Sequence, residues 1–204
     1  MVDGNPGKEG NREGISRRKF TLGVLLASLA GAFGSLLTLL KVLAPEKKGG
    51  GYATTIQPGD VLVYAQGGSA GASITASSMK AGDAVLAFPS GKTSNPANLV
   101  QLIKLDEKAF KPPTDLSLTD KGFAAYSAIC THLGCTVSWA ANAESPDASV
   151  TECKCHNSIF NPAEGAKVMG GPAPIPLSQI GVKVKEDGTL AFTSDFNGPI
   201  GPQV

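Results

Sequence analysis

Residues 130–135 read CTHLGC and residues 153–158 read CKCHNS. These two stretches, named here the first loop and the second loop, hold all four cysteines and both histidines of the 204-residue chain. Thiolate sulfur and imidazole nitrogen are ligands for zinc and for iron–sulfur clusters. One tetrahedral zinc would use four of these six side chains, and paired zinc ligands are ordinarily two residues apart. The two loops therefore predict one metal centre and favour a cluster over a zinc ion.

The composition predicts an all-β domain around these loops. Glycine (25) and proline (14) make up about a fifth of the chain, which is typical of short strands joined by many turns. Hydrophobic residues are 42% and charged residues 17%, as in ordinary globular proteins. Strand-like apolar runs lie at 61–64, 84–88, 99–103, 122–129, 181–185 and 189–193. The last two runs are joined by Glu186, Asp187 and Gly188, which predict a hairpin turn.

The charge balance argues against nucleic acid as a partner. Lys and Arg number 18 and Asp and Glu 17, so the net charge is +1. A chain without an excess of positive charge lacks the broad basic surface that binds a phosphate backbone. We therefore expect no nucleic-acid function.

The amino terminus predicts an export signal followed by a membrane anchor. Residues 16–20 read SRRKF and resemble a twin-arginine signal, and residues 21–40 carry no charge. Twenty helical residues span about 30 Å, the thickness of a bilayer's hydrocarbon core. We expect a cytoplasmic segment at 1–20, a transmembrane helix at 21–44 and a flexible tether at 45–56. The alternative is cleavage near Ala30-Gly31-Ala32, which would leave a strongly apolar new terminus.

The two loops together resemble the Cys-x-His-x-Gly-Cys and Cys-x-Cys-His-x-Ser signature of the Rieske iron–sulfur proteins of quinol-oxidising cytochrome bc complexes. The resemblance extends to the signal, the anchor, the tether and residues 170–174 (GGPAP), which are similar to the family's proline loop over the cluster. It implies that residues 57–204 form an antiparallel β-sandwich head with a cluster-binding subdomain. The implied cofactor is a Rieske 2Fe-2S cluster.

The resemblance also implies the role of each side chain in the loops. Cys130 and Cys153 would hold the inner iron, and His132 and His156 the outer iron. Cys135 and Cys155 would form a disulfide between the loops. The catalytic contact with quinol would come from His156, with His132 also exposed.

Other positions are expected to tune or shield the cluster. Ser158 matches a serine that donates a hydrogen bond to a cluster sulfur, and Leu133 is expected to shield the cluster from water. Phe160 departs from the family pattern, because high-potential members have a tyrosine there that donates a second hydrogen bond. A modest potential suited to menaquinol is therefore expected. Lys154 and Asn157 also depart, and asparagine tolerates the positive φ that glycine usually supplies.

The function implied is electron transfer in a respiratory complex at a bacterial inner membrane, with the head outside the cytoplasm. The head would take an electron and a proton from quinol and pass the electron to a c-type haem, with cytochrome b and c-type cytochrome subunits as partners. The alternative is the small Rieske subunit of a molybdenum oxidase such as arsenite oxidase. A Rieske-type ferredoxin or an oxygenase component is disfavoured, because those relatives generally lack the extra cysteine pair and the anchor.

Overall fold

The computed structural model of the protein describes residue 21, residues 52–142, residue 145 and residues 148–203. The fold below concerns the compact unit Gly49–Val204. The twin-arginine segment, the anchor beyond its first residue and most of the tether were predicted at positions outside the described residues. No helix within the described residues is long and apolar enough to cross a membrane.

The described head is all-β, as predicted, and consists of two antiparallel sheets. The larger sheet has the strand order β1-β2-β3-β4-β9-β10 and the smaller sheet the order β5-β6-β7-β8. The strands are β1 Leu62–Tyr64, β2 Ala84–Pro89, β3 Val100–Lys104, β4 Phe123–Ser127, β5 Ser138–Ala140, β6 Val150–Cys153, β7 Ser158–Asn161, β8 Lys167–Gly170, β9 Gln179–Val184 and β10 Leu190–Phe196.

The larger sheet coincides with the six apolar runs. Alternate side chains of its strands, such as Leu102, Phe123 and Ile180, are buried on one face in a continuous apolar core. Strands β9 and β10 pair antiparallel, which confirms the predicted hairpin. At its turn the Asp187 carboxylate accepts hydrogen bonds from the Thr189 hydroxyl and N–H. These bonds lower the pKa of Asp187 to about 2.

The smaller sheet was not predicted. Its strands are three or four residues long and include Ser, Glu, Asn and Lys, so they carry no run of alternating apolar residues. Its central hairpin is β6 and β7, in which Cys153 pairs with Ser158. The second loop is therefore the connection at the tip of this hairpin.

A second apolar core joins the two sheets behind the loops. Tyr126 of the larger sheet and Phe160 of the smaller sheet are fully buried in it, together with Cys130 and Cys153. The Tyr126 hydroxyl donates to the carbonyl oxygen of Pro162 at 2.8 Å, and burial raises the pKa of this phenol. The Trp139 Nε1–H donates to the Gly82 carbonyl oxygen at 2.9 Å. Because the two sheets share apolar contacts and hydrogen bonds, Cys130 and Cys153 are held in the packed core between them.

Candidate metal centre

The first loop is a tight turn that follows β4. The Cys130 N–H donates to the Cys135 carbonyl oxygen at 2.8 Å, and the Gly134 N–H donates to the Cys130 carbonyl oxygen at 3.0 Å. Gly134 has a φ of 81°, a left-handed conformation that side chains rarely adopt. The glycine of the motif is thus required by the turn, which places the two cysteines of the loop opposite each other.

The second loop reverses the chain between β6 and β7. Asn157 has a φ of 57°, so asparagine does adopt the left-handed conformation at the position where the sequence departs from glycine. Cys153 is buried and His156 is exposed. The hairpin therefore places its thiol towards the core and its imidazole towards solvent.

The fold brings the two loops together, each with one cysteine and one histidine of the predicted ligand set. The Cys130 and Cys153 thiols are free and buried. The rings of His132 and His156, one from each loop, have centroids 4.7 Å apart and planes at 85°. The Nδ1 atom of His132 is buried without a hydrogen-bond partner among the described residues. A buried ring nitrogen without a hydrogen-bond partner is costly unless it coordinates a metal, so this arrangement fits a metal centre.

The disulfide predicted from the family pattern is present. Cys135 and Cys155 are joined across the loops, with Cα atoms 6.6 Å apart. The Cys153 sulfur and the two bridging sulfurs all lie within 4.8 Å of one another. Because the bridging sulfurs are bonded to each other, they are not thiolates and do not bind a metal as thiolate ligands do. The bridge instead links the two loops beside the Cys153 thiol.

The electrostatics of the thiols also fit a bound cation. Burial raises the pKa of the Cys130 thiol, and the neighbouring Cys153 thiol adds to this effect. The His132 backbone N–H and the Ser158 hydroxyl act in the opposite direction. Two thiolates this close together in a buried site need positive charge to offset them. Iron supplies that charge, and the residues present therefore fit an iron–sulfur cluster.

Residues 170–175, which include the predicted proline loop, are attached to both cysteine–histidine loops. The Ala173 N–H donates to the Ser158 hydroxyl oxygen at 3.1 Å. The Thr131 hydroxyl donates to the Ile175 carbonyl oxygen at 2.7 Å. Gly171 lies against the backbone of the second loop so closely that a Cβ atom would be 2.5 Å from the Ser158 Cα. The three segments therefore hold one another in place.

Three further predicted positions occupy different surroundings. Ser158 is fully buried; its oxygen accepts from the Ala173 N–H, and its hydroxyl is hydrogen-bonded with the Cys130 thiol. Phe160 is fully buried on β7 in the core behind the thiols. Leu133 is 58% exposed, so it is a surface residue of the first loop and not part of the apolar core.

Tyr52 belongs to the surroundings of the first loop, although the sequence analysis did not select it. Its hydroxyl oxygen lies 3.2 Å from the position that a Cβ would take on Gly134. An aromatic residue directly after three glycines was the signal available in the sequence.

Comparisons with known proteins place the chain among iron–sulfur proteins. A family model described as the Rieske [2Fe-2S] domain matches residues 100–181. A putative respiratory nitrate reductase subunit Rieske of Haloferax mediterranei is 32% identical over 94% of this chain and 82% of its own length. A cytochrome bc1 complex Rieske iron-sulfur subunit of Streptomyces coelicolor is 29% identical over 96% of this chain, which spans only 56% of that longer relative. The soluble domain of the Rieske protein II of Sulfolobus acidocaldarius aligns over 50% of this chain and 64% of its own, with 21% identity and a TM-score of 0.38.

Proposed function

We propose, because the chain belongs to the Rieske [2Fe-2S] family, that it is the electron-transfer subunit of a cytochrome bc-type complex which oxidises quinol. Its cofactor is a Rieske 2Fe-2S cluster. The observation that carries the proposal is the pairing of two buried free thiols with two adjacent imidazoles at one end of the head. The name of the Streptomyces coelicolor relative supports the assignment to a cytochrome complex.

The proposed ligands are one cysteine and one histidine from each loop. Cys130 and Cys153 would hold the buried iron, because both thiols are free and face the core. His132 would bind through Nδ1, the atom that is buried without a partner among the described residues. His156 would complete the set from the second loop.

The proposed chemistry divides between the bound cluster and the protein. When bound, the cluster supplies a one-electron acceptor whose potential is raised by neutral imidazole ligands. The exposed His156 ring would contact the quinol oxygen and, when bound through Nδ1, would accept the proton at Nε2 while the electron leaves the same quinol. Ser158 would donate a hydrogen bond towards the cluster from its buried position, and Leu133 would limit access of water from the first loop.

The absence of a tyrosine at position 160 should hold the potential low. We expect Phe160→Tyr to raise the one-electron potential by about 40 mV, since one added hydrogen bond is worth about 1 kcal/mol to the more negative reduced state. The measurement is protein-film voltammetry. Phe192→Tyr is the matched control, because Phe192 is equally buried but lies in the other core, and its potential should not change. An unchanged or lower potential for Phe160→Tyr would contradict the assigned role of this position.

The segments before the head complete the proposal. Residues 21–44 would anchor the chain in the inner membrane, and residues 45–56 would be the tether, with Gly49-Gly50-Gly51 as its pivot and with residues 52–56 bound to the head. A glycine triplet places little restriction on chain direction. The head would then move outside the cytoplasm between menaquinol and the c-type haem. The support for this part is the sequence alone.

A second candidate function follows from the comparisons. The Haloferax mediterranei relative is named as a nitrate reductase subunit, and the chain spans 82% of its length. The same head could therefore deliver electrons to a reductase or oxidase partner other than a cytochrome bc complex. Like the molybdenum oxidase alternative, this candidate makes the chain a small Rieske subunit that serves a partner other than cytochrome b.

Purification of the tagged full chain from detergent-solubilised membranes separates the two functions. We expect b-type and c-type haem spectra to copurify with the chain, and menaquinol to reduce the c-type haem in the purified complex. Cys153→Ser is the control, which should retain the haems but lose this reduction. Recovery of a molybdenum-containing partner without haem b would overturn the primary function in favour of the second candidate.

A further inference from the structure

Residues 52–56, named here the strap, follow the glycine triplet and run along the surface of the head. The Tyr52 N–H donates to the Ile200 carbonyl oxygen at 3.1 Å. The Ala53 carbonyl oxygen accepts from the Asn95 side chain at 3.0 Å. Ile56 at the other end is buried in the core of the larger sheet. The strap is therefore fastened at each end and in the middle.

The Tyr52 ring lies between the carboxyl-terminal segment and the first loop. On one side, a Cβ atom on Gly201 would be 2.6 Å from a ring carbon, so the ring rests on a backbone that only glycine leaves open. On the other side, a Cβ on Gly134 would be 3.2 Å from the hydroxyl oxygen and 3.5 Å from Pro202. Gly134 and Gly201 both have positive φ. Two glycines, in a backbone conformation that other residues rarely adopt, thus leave the space that the Tyr52 side chain occupies.

Gly201 also lies close to Ile129, the residue that precedes Cys130, the first proposed ligand. The position of a Cβ on Gly201 is also 3.2 Å from a methyl group of Ile129, and Ile129 directly precedes Cys130. The Gly134 N–H is hydrogen-bonded to the Cys130 carbonyl oxygen. Tyr52 therefore lies beside Gly134 near the end of the turn that carries Cys130 and His132, and Gly201, on which its ring lies, is close to Ile129 before that turn.

We propose that Tyr52 is a positioning residue that couples the strap to the first loop. Its hydroxyl oxygen lies beside Gly134, its ring lies on Gly201, and its backbone N–H is bonded to Ile200 of the carboxyl-terminal segment. The chain therefore enters the described part of the head beside the loop that carries two of the proposed ligands. The functional meaning rests on the proposed function, whereas the physical coupling does not.

The coupling predicts that removal of the Tyr52 side chain makes local opening of the first loop more frequent. Ring removal takes away packing on Gly134, and local opening governs how fast the loop's amide hydrogens exchange. We expect Tyr52→Ala, in the full-length holoprotein, to speed exchange in peptides covering residues 129–136 by about tenfold. Tyr52→Phe keeps the ring on Gly201 but removes the hydroxyl oxygen that lies beside Gly134, so exchange should rise less than in Tyr52→Ala.

Two further variants isolate the contact. Gly201→Ala displaces the ring from the opposite side and should speed exchange in the same peptides. Asn95→Ala removes its bond to the Ala53 carbonyl oxygen and the bond that it accepts from the Ala97 N–H, while the Thr55 N–H keeps its bond to Asn98. Neither lost bond involves the first loop, so exchange should rise around Ala53 and Ala97 and stay unchanged at 129–136. Unchanged loop exchange in Tyr52→Ala, or an equal rise in Asn95→Ala, would overturn the proposal.

The redox potential provides the readout that depends on the proposed function. Opening the Gly134 side admits water near the cluster, and water stabilises the more negative reduced state. The potential should therefore shift upward in Tyr52→Ala and Gly201→Ala, shift by less in Tyr52→Phe, and stay unchanged in Asn95→Ala. Faster loop exchange without a potential shift would retain the coupling but overturn the role in positioning ligands. If haem does not copurify with the unaltered chain, that result would instead count against the proposed function alone.

Discussion

Cys153→Ser is expected to yield a purified protein without iron or acid-labile sulfide and without the visible absorption of a 2Fe-2S centre. The Cys153 thiol is free, buried and adjacent to Cys130, so its removal takes one of two sulfur ligands from the buried iron. A serine hydroxyl is a poor replacement, because its proton is not readily lost and its oxygen is a harder donor than sulfur. Iron content and the visible spectrum measure the loss.

The disulfide cysteines provide the control, because one of them, Cys155, lies only two residues from Cys153 in the same loop. The double variant Cys135→Ser/Cys155→Ser removes the bridge without leaving an unpaired thiol beside Cys153. It should retain iron at 25 °C, but on heating it should lose iron at a lower temperature than the unaltered protein does, because removal of a disulfide typically costs about 2–4 kcal/mol of stability. Equal loss of iron at 25 °C in both variants would contradict the division between ligand and bridging cysteines.

Gly171→Ala is expected to detach residues 170–175 from the second loop. The added Cβ would be 2.5 Å from the Ser158 Cα and 2.7 Å from its nitrogen, and a backbone atom cannot turn aside as a side chain does. Ser158 is also held by its pairing with Cys153 and by the Ala173 N–H. With the strain of a φ of 82°, we expect a loss of about 2–4 kcal/mol and faster bleaching of the cluster on heating.

Gly170→Ala is the matched control for this prediction. No atom lies within 4 Å of a Cβ at Gly170, and its φ is not positive. Alanine there should change the melting temperature and the bleaching rate little. Similar destabilisation by the two variants would show that the close approach of Gly171 to Ser158 is not what secures the proline loop.

The larger sheet and the cysteine–histidine loops differ from the smaller sheet in how far they could be predicted. Strands such as β3 and β10 carry five to seven residues with enough apolar side chains to show a period. In contrast, β5 and β8 are only three and four residues long, too short to show a period. They are stabilised by pairing with neighbouring strands and by packing of Trp139 and Val168 against the second core. The hairpin that carries the second loop was therefore missed although the loop itself was found.

Residue chemistry and short spacings were readable from the chain alone: the sulfur and imidazole donors, the turn glycine at 134, the tolerance of Asn157 for positive φ and, through family likeness, the pairing of Cys135 with Cys155. Folding alone brought distant segments into contact. Tyr52 meets Gly134 and Gly201, and Gly171 meets Ser158, at separations along the chain for which no local pattern exists. The reason is physical, because ligand chemistry and backbone conformation belong to single residues and their neighbours, whereas a close approach depends on the packing of the whole head.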